Sequence, residues 1–256
     1  MKKVIYTCIT GGYDNLLQPL VIDETFDYIC FTDSPKVHQD GIWRIEKLPD
    51  MLIGNVKASR YPKMNPHKLL QDYDYSVYID ANIVIQQRSF YESINRCIEK
   101  NLILAGIKHP KMNCLYDEYF NVYKQRKETD LKLLYKEYRL IKKSGFPSNY
   151  GMYEANIILR SHNDQLVKQQ CDDWWSMYLS YTKRDQLSYS YTLWKNKIDF
   201  KYLMNTCGLY SNERESYKVL YHPVISSGKK DYLNRLLFKV FPEKFIRQVF
   251  YYIFNL

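Results

Sequence analysis

The sequence predicts an α/β layered domain, a mixed and mostly parallel sheet flanked by helices, followed by an amphipathic helical tail. Three observations predict it. Short β-rich runs alternate with helical segments through residues 1–228, the pattern of strands joined by crossover helices. The first runs end in turn chemistry, at Gly11-Gly12 and at Asp33-Ser34-Pro35. Past Gly228 the pattern changes to two apolar, aromatic stripes among lysines and arginines.

Taken in order, residues 4–10 form the first strand, 28–32 the second and 42–45 a short third. Residues 55–71 have a helical tendency that Pro62 and Pro66 interrupt. They lead through Asp72-Tyr73-Asp74-Tyr75 into Ser76-Val77-Tyr78-Ile79, a buried-type strand that delivers Asp80 to its carboxyl end. A helix over 89–100, a strand over 103–107 and a long charged helical region over 115–143, broken near Thr129, come next. Residues 156–159 form a further strand. After Asp164, the residues Val167, Cys171, Trp174, Trp175 and Tyr178 fall on one face of a helix and read as core. Ligands of such a sheet collect at the carboxyl ends of its strands, so the chemistry is expected after Thr10, Thr32 and Ile79.

Composition bounds the rest. With 256 residues, 46% hydrophobic and 25% charged, the chain can bury one substantial core or two small ones, which excludes long-range disorder. A net charge of +9 attracts phosphates, anionic lipid or nucleic acid without choosing among them. The six cysteines show no C-x-x-C spacing, so buried thiols in a reducing compartment are expected rather than zinc or a dithiol centre. The amino terminus turns polar too soon for a signal peptide, and no run reaches the ~20 apolar residues that span a bilayer. A cytoplasmic protein is expected. The 26 tyrosines fit an AT-rich coding genome; aromatic hydroxyls also suit sugar binding.

Two units are expected: a domain over 1–228 and a tail over 229–256. In the tail Leu233, Leu236, Leu237, Val240 and Phe241 form one stripe, and Phe245, Ile246, Val249, Phe250 and Ile253 another after Pro242. Six Lys or Arg against two acids give this segment +4 of the net +9. A basic amphipathic tail of this kind suits an anionic membrane surface, placing the protein peripherally on the inner face of the cell membrane. The same stripes would also serve for packing on the main domain.

The motifs come next. Asp80-Ala81-Asn82 puts two oxygen-bearing side chains at the end of a buried strand, where both can reach one hard cation and the diphosphate it neutralises. Arg60, Lys63 and His67 share a helical face, which suits phosphate binding or a solvated basic surface. In Arg184-Asp185-Gln186-Leu187-Ser188 the Asp185 carboxylate either caps a helix or stands near a reacting carbon, with Arg184 holding phosphate or carboxylate. Tyr221-His222-Pro223 and Ser226-Ser227-Gly228-Lys229-Lys230 supply an imidazole and a glycine-lysine loop, whose plainer reading is a structural histidine and a turn.

In chain order these pieces resemble a family. Ile5-Tyr6-Thr7, Gly11-Gly12-Tyr13-Asp14, Tyr28-Ile29-Cys30-Phe31-Thr32-Asp33, Trp43-Arg44, Arg60 with Lys63, Pro66-His67, Asp74-Tyr75-Ser76 and Asp80 look like the glycosyltransferase-like family of bacteria and plants that includes the plant mucilage-related proteins. His109-Pro110, Cys114-Leu115-Tyr116-Asp117-Glu118, Glu154-Ala155-Asn156, Arg160-Ser161-His162 and Arg184-Asp185-Gln186-Leu187-Ser188 continue the match, over about residues 3–228.

The resemblance implies a GT-A, Rossmann-like fold that holds a nucleotide-sugar donor with Mn²⁺ or Mg²⁺, in a glycogenin-like order of motifs. It implies Asp80, Asn82 and His222 as metal ligands; Asp185 and Gln186 as groups facing the sugar; and Thr7, Gly11, Tyr13, Arg60, Lys63, His67, Arg184 and Lys229 on the donor and its phosphates. Asn82 departs from the pattern, an amide standing where a second carboxylate is usual. Asp185 or Glu154 would take the acceptor proton. The function implied is metal-dependent hexosyl transfer from a UDP-sugar to a glycan or lipid-linked acceptor, in assembly of a bacterial surface polysaccharide. A non-catalytic nucleotide-sugar binder is the alternative. A nucleic-acid binder is a weaker one, because almost half the excess charge lies in the tail, and no nucleic-acid partner is expected.

Overall fold

The computed structural model describes residues 1–12, 14–33, 38–49, 55–203, 216–220 and 243–254. Its first strand, β1 (Lys3–Ile9), is buried from Val4 to Cys8, as a strand covered on both faces must be. It lies between β2 (Phe26–Thr32) and β5 (Tyr75–Ile79), parallel to both, with Ile5 opposite Tyr28 on one side and Val77 on the other. β3 (Gln39–Asp40) and β4 (Trp43–Lys47) extend the sheet beyond β2. Beyond β5 come β8 (Tyr153–Arg160), β7 (Leu104–Lys108) and β9 (Lys201–Tyr202), giving the eight-stranded order β3-β4-β2-β1-β5-β8-β7-β9. β8 runs antiparallel to both β5 and β7; β4, β2, β1 and β5 are parallel. This is the mixed, largely parallel sheet that was expected. The chain builds outward from β1 first through β2 and β4, then through β5, so the crevice between the carboxyl ends of β1 and β5 is the point where the winding reverses.

Helices cover both faces. On one, Tyr6, Ile29, Tyr78 and Ile158 meet Trp174 of α6 (Gln165–Ser180) and Tyr189 of α7 (Asp185–Lys195). On the other, Ile5, Tyr28, Val77 and Leu159 meet Phe90 and Ile94 of α3 (Ser89–Glu99). The residues alternate between the two cores with the period of a strand. α1 (Asn55–Met64) and α2 (Pro66–Leu69) precede β5. Pro62 does not interrupt α1: the Ala58 carbonyl, which Pro62 cannot bond, lies 3.9 Å from the Cys8 thiol, and the Tyr6 hydroxyl donates to the Pro62 carbonyl. The expected break near Thr129 separates α4 (Leu115–Lys124) from α5 (Leu131–Lys143), whose cap Asp130 accepts from the Lys132 and Leu133 amides. A small second sheet pairs β6 (Ile83–Ile85) with β10 (Tyr217–Val219).

The last helix, α8 (Glu243–Ile253), turns part of its apolar stripe to the protein itself. Ile246, Phe250 and Phe254 are buried in a third core cluster with α4, α5 and α7. The Phe250 ring lies 5.5 Å from Phe120 and 5.7 Å from Tyr123, Phe254 packs edge-on to Tyr138, and Arg247 pairs with Asp117 at 2.9 Å. Hydrophobic contact with the protein's own aromatic surface thus takes up Ile246 and Phe250 of the expected stripe. Val249, Tyr252 and Ile253 stay exposed. The first tail stripe, 233–241, lies outside the described residues. Among the described residues no helix is long and apolar enough to cross a membrane. Cys8, Cys30, Cys97 and Cys171 are buried free thiols and Cys114 is half-buried; Cys207 is not among the described residues.

Candidate functional site

β1 ends in Gly11 and Gly12, both at φ near +60°, a conformation that glycine adopts without strain. The Gly11 amide donates to the Asp33 carboxylate at 3.1 Å, tying the exit of β1 to that of β2. Above the β1/β5 crevice opens a cavity of about 670 Å³. Thr10, Gly11 and Asp14 line it from β1 and the following loop, Ser59, Arg60 and Lys63 from α1, and Tyr78, Asp80 and Ala81 from β5. Glu154 and Asn156 of β8, Lys127 of the α4–α5 turn, and Arg184, Asp185 and Gln186 at the start of α7 complete it.

At its floor four charges converge. The Lys63 ammonium, 3% exposed, lies 2.7 Å from the Asp185 carboxylate and 3.4 Å from Asp80. Arg60 Nε lies 3.3 Å from the same Asp185 oxygen, because i and i+3 positions share a helix face. The Tyr78 hydroxyl donates to Asp80 at 2.9 Å. Burial works against the charge on Asp185, but Lys63 and Arg60, with Arg184 beyond them, outweigh it and hold the carboxyl well below the ordinary carboxylate range.

The floor is held from beneath. Arg160, fully buried on β8, donates from one Nη to the Tyr6 hydroxyl at 2.9 Å and to the Lys63 backbone carbonyl at 2.8 Å. Trp174 Nε1 donates to the Asp185 carbonyl at 2.8 Å, fixing the first turn of α7. Arg184 occupies the cap position without a side-chain bond, while the Asp185 carboxylate accepts from the Gln186 amide at 3.1 Å through one oxygen and faces Lys63 and Arg60 with the other, so it serves the helix start and the cations together.

The structure therefore brings together Gly11, Arg60, Lys63, Asp80, Glu154, Arg184, Asp185 and Gln186. It leaves three sequence-predicted residues outside the cavity lining. Thr7 is buried within β1; His67 pairs with Asp172 of α6 at 3.3 Å; and the Asn82 amide donates to the Leu220 carbonyl at 2.7 Å while the Leu220 amide donates to the Asn82 carbonyl. Tyr13, His222 and Lys229 lie outside the described residues. Lys127, Tyr78 and Arg160 were not singled out from sequence as site residues. Lys127 had only the helix break near Thr129 to mark it, and Arg160 only its place in a family-like tripeptide.

The described donors suit a divalent ion in one manner. No group of three or more His, Cys, Asp or Glu side chains is placed to hold a metal among the described residues. Asp80 supplies one carboxylate, which fits an ion of the Mg²⁺ type bound by one or two carboxylates, water and substrate phosphate oxygens.

Residues 1–221 match the family described as TOD1/MUCI70, glycosyltransferase-like domain. The chain belongs to the TOD1/MUCI70 glycosyltransferase-like family. No curated protein matches it. The match bears out the resemblance to the plant mucilage-related proteins, and it covers every described residue of the cavity. Glycosyltransferase-like character carries with it, in general terms, a nucleotide-sugar donor and an acceptor.

Proposed function

We propose that the protein transfers a hexosyl unit from a UDP-sugar to a hydroxyl of a glycan or lipid-linked glycan, with Mn²⁺ or Mg²⁺ as cofactor. What carries this reading is the gathering of Asp80, Arg60, Lys63, Arg184 and Glu154 around one cavity at the winding reversal of a glycosyltransferase-like domain. Breaking a sugar–phosphate bond leaves charge on a diphosphate, and a preorganised guanidinium and ammonium at the cavity floor stabilise that charge as it develops. A bound divalent ion, held by Asp80, would supply further Lewis-acid stabilisation of the leaving diphosphate.

Asp185 does not serve as the base. A carboxylate already satisfied by Lys63 and Arg60 accepts a proton poorly, so its work is to hold those cations in register. Glu154, at the cavity wall with Asn156 donating to it at 3.0 Å, is the carboxylate assigned to the acceptor proton.

A melting-temperature panel of UDP and UDP-sugars, each with and without Mn²⁺, tests the proposal, since a ligand that binds only the folded state raises Tm. UDP-sugars should raise Tm, and more so with Mn²⁺. Asp80→Ala should abolish the Mn²⁺ increment and transfer while melting near the parent. Donors that leave Tm unchanged at millimolar concentration would remove the nucleotide-sugar reading. Donor binding without hydrolysis or transfer would point to the non-catalytic alternative, which the turning away of Asn82 toward Leu220 favours.

A further inference from the structure

The cations of the cavity fall into two groups. Lys63 and Arg60 are each held in an ion pair with Asp185, and Lys63 also with Asp80. Lys127 and Arg184 also line the cavity, yet neither has an ion pair among the described residues. They are close enough to repel: partial desolvation, then the charge of Arg184, pull the Lys127 ammonium below its ordinary range, opposed only by Glu118. Arg184 Nε is buried without an acceptor. Two like charges lining one cavity, each acted on by the buried Glu118 carboxylate at longer range and one with an unsatisfied donor, form a place that an incoming anion would complete.

The backbone holds this arrangement at a cost. Lys127 follows a helix end closed by two bonds, from the Lys127 amide to the Val122 carbonyl and from the Arg126 amide to the Tyr123 carbonyl. That closure sets Arg126 at φ +58°, where glycine is usual, and it brings Lys127 to the cavity. The location says which substrate is concerned. Thr10, Gly11 and Asp14 stand over the β1/β5 crevice, where the nucleotide end of a donor belongs. Lys127 and Arg184 come from the α4–α5 turn and the segment before α7, outside the parallel half of the sheet.

We propose that Lys127 and Arg184 form an anion subsite for the acceptor, which carries a phosphate or carboxylate group near the hydroxyl that receives the sugar. The assignment to the acceptor rests on the donor reading given above; the subsite itself does not.

Inorganic phosphate titrated calorimetrically into the full chain, alone and with saturating UDP, tests it. One phosphate per chain should bind in both conditions. Lys127→Ala and Arg184→Gln should each weaken phosphate at least about tenfold, and Lys127→Ala, at a residue the donor reading does not use, should hold UDP affinity within about twofold. Lys132→Ala, an equal change of net charge on exposed α5, should leave phosphate binding as in the parent. Absence of phosphate binding, or equal binding by parent and Lys127→Ala, overturns the subsite. Displacement of phosphate by UDP, together with loss of UDP affinity in Lys127→Ala, gives the pair to the donor and overturns the acceptor assignment. Phosphate binding that persists while UDP does not bind would sink the donor reading and leave the subsite standing.

Discussion

Asp185 is the anion on which the site's floor depends. Asp185→Asn keeps the side chain's shape but leaves Lys63, 3% exposed, and Arg60 facing a neutral amide. Removing one partner of a buried ion pair costs about 3–5 kcal/mol, so this variant should melt well below the parent, as differential scanning calorimetry would show. Glu137 on α5 presents the opposite case. It is 1% exposed, accepts from the Thr182 amide and hydroxyl, and burial pushes its carboxyl up to about 8 from an ordinary 4.5. The folded state then holds a proton that the unfolded state releases, so this group makes stability fall as pH rises from about 4.5 to about 8. Glu137→Gln should flatten that part of the stability profile in urea titrations at successive pH values; an unaltered slope would show that Glu137 is ionised in the fold. Asp80 and Asp185 were legible in the sequence because each sits beside a polar partner at the end of an element. Glu137, Arg160 and Lys127 were not, since what makes them matter is a neighbour distant in sequence.

At the level of elements, helix ends show where local chemistry is overruled. α3, α4 and α7 all close with a left-handed residue that is not glycine: Asn101, Arg126 and Lys197. At Lys197 the Lys197 amide bonds the Trp194 carbonyl and the Ile198 amide bonds Leu193. A left-handed residue with a Cβ costs roughly 1–2 kcal/mol, part of which glycine returns as unfolded-chain entropy. Lys197→Gly should therefore stabilise the fold by about 0.5–1 kcal/mol, read as a higher urea midpoint with unchanged slope. These ends carry no glycine signal, so the sequence marked the α4–α5 break only through its turn composition. Elements with strong periodicity, β1, β2, β5, α3 and α6, were readable within a few residues. β6, β9 and β10 were not, because two or three residues are too few to show a period. Pro62 misled for a reason of tertiary origin, since the thiol that approaches the Ala58 carbonyl comes from β1.

On the scale of the whole molecule, the fold class followed from alternation, while the antiparallel insertion of β8 between β5 and β7 did not; no local pattern distinguishes the direction of a buried strand. The tail had two readings of equal periodicity, and Ile246, Phe250 and Phe254 of the α8 region pack on the domain. Ending the chain after residue 242 would remove Ile246, Phe250 and Phe254 from contact with α4 and α5. Burial of each such side chain contributes about 1.5–3 kcal/mol, so the shortened chain should lose several kcal/mol and melt lower. A melting temperature equal to the parent's would place α8 elsewhere in solution.

The direction of β8 carries a last consequence. Because it runs against β5, its start meets the finish of that strand: the Asp80 amide is bonded to the Asn156 carbonyl at 2.9 Å, and Glu154 and Asp80 line the same cavity. The strand works as a ruler read from both ends: its zero is set by Arg160 beneath Lys63, and its far mark positions Glu154. Between those marks the strand steps out of regular alternation, since Gly106 faces Ile158 but Ile107 faces Glu154, so the placing of Glu154 over the cavity depends on that irregularity and not on an even count of residues from Arg160.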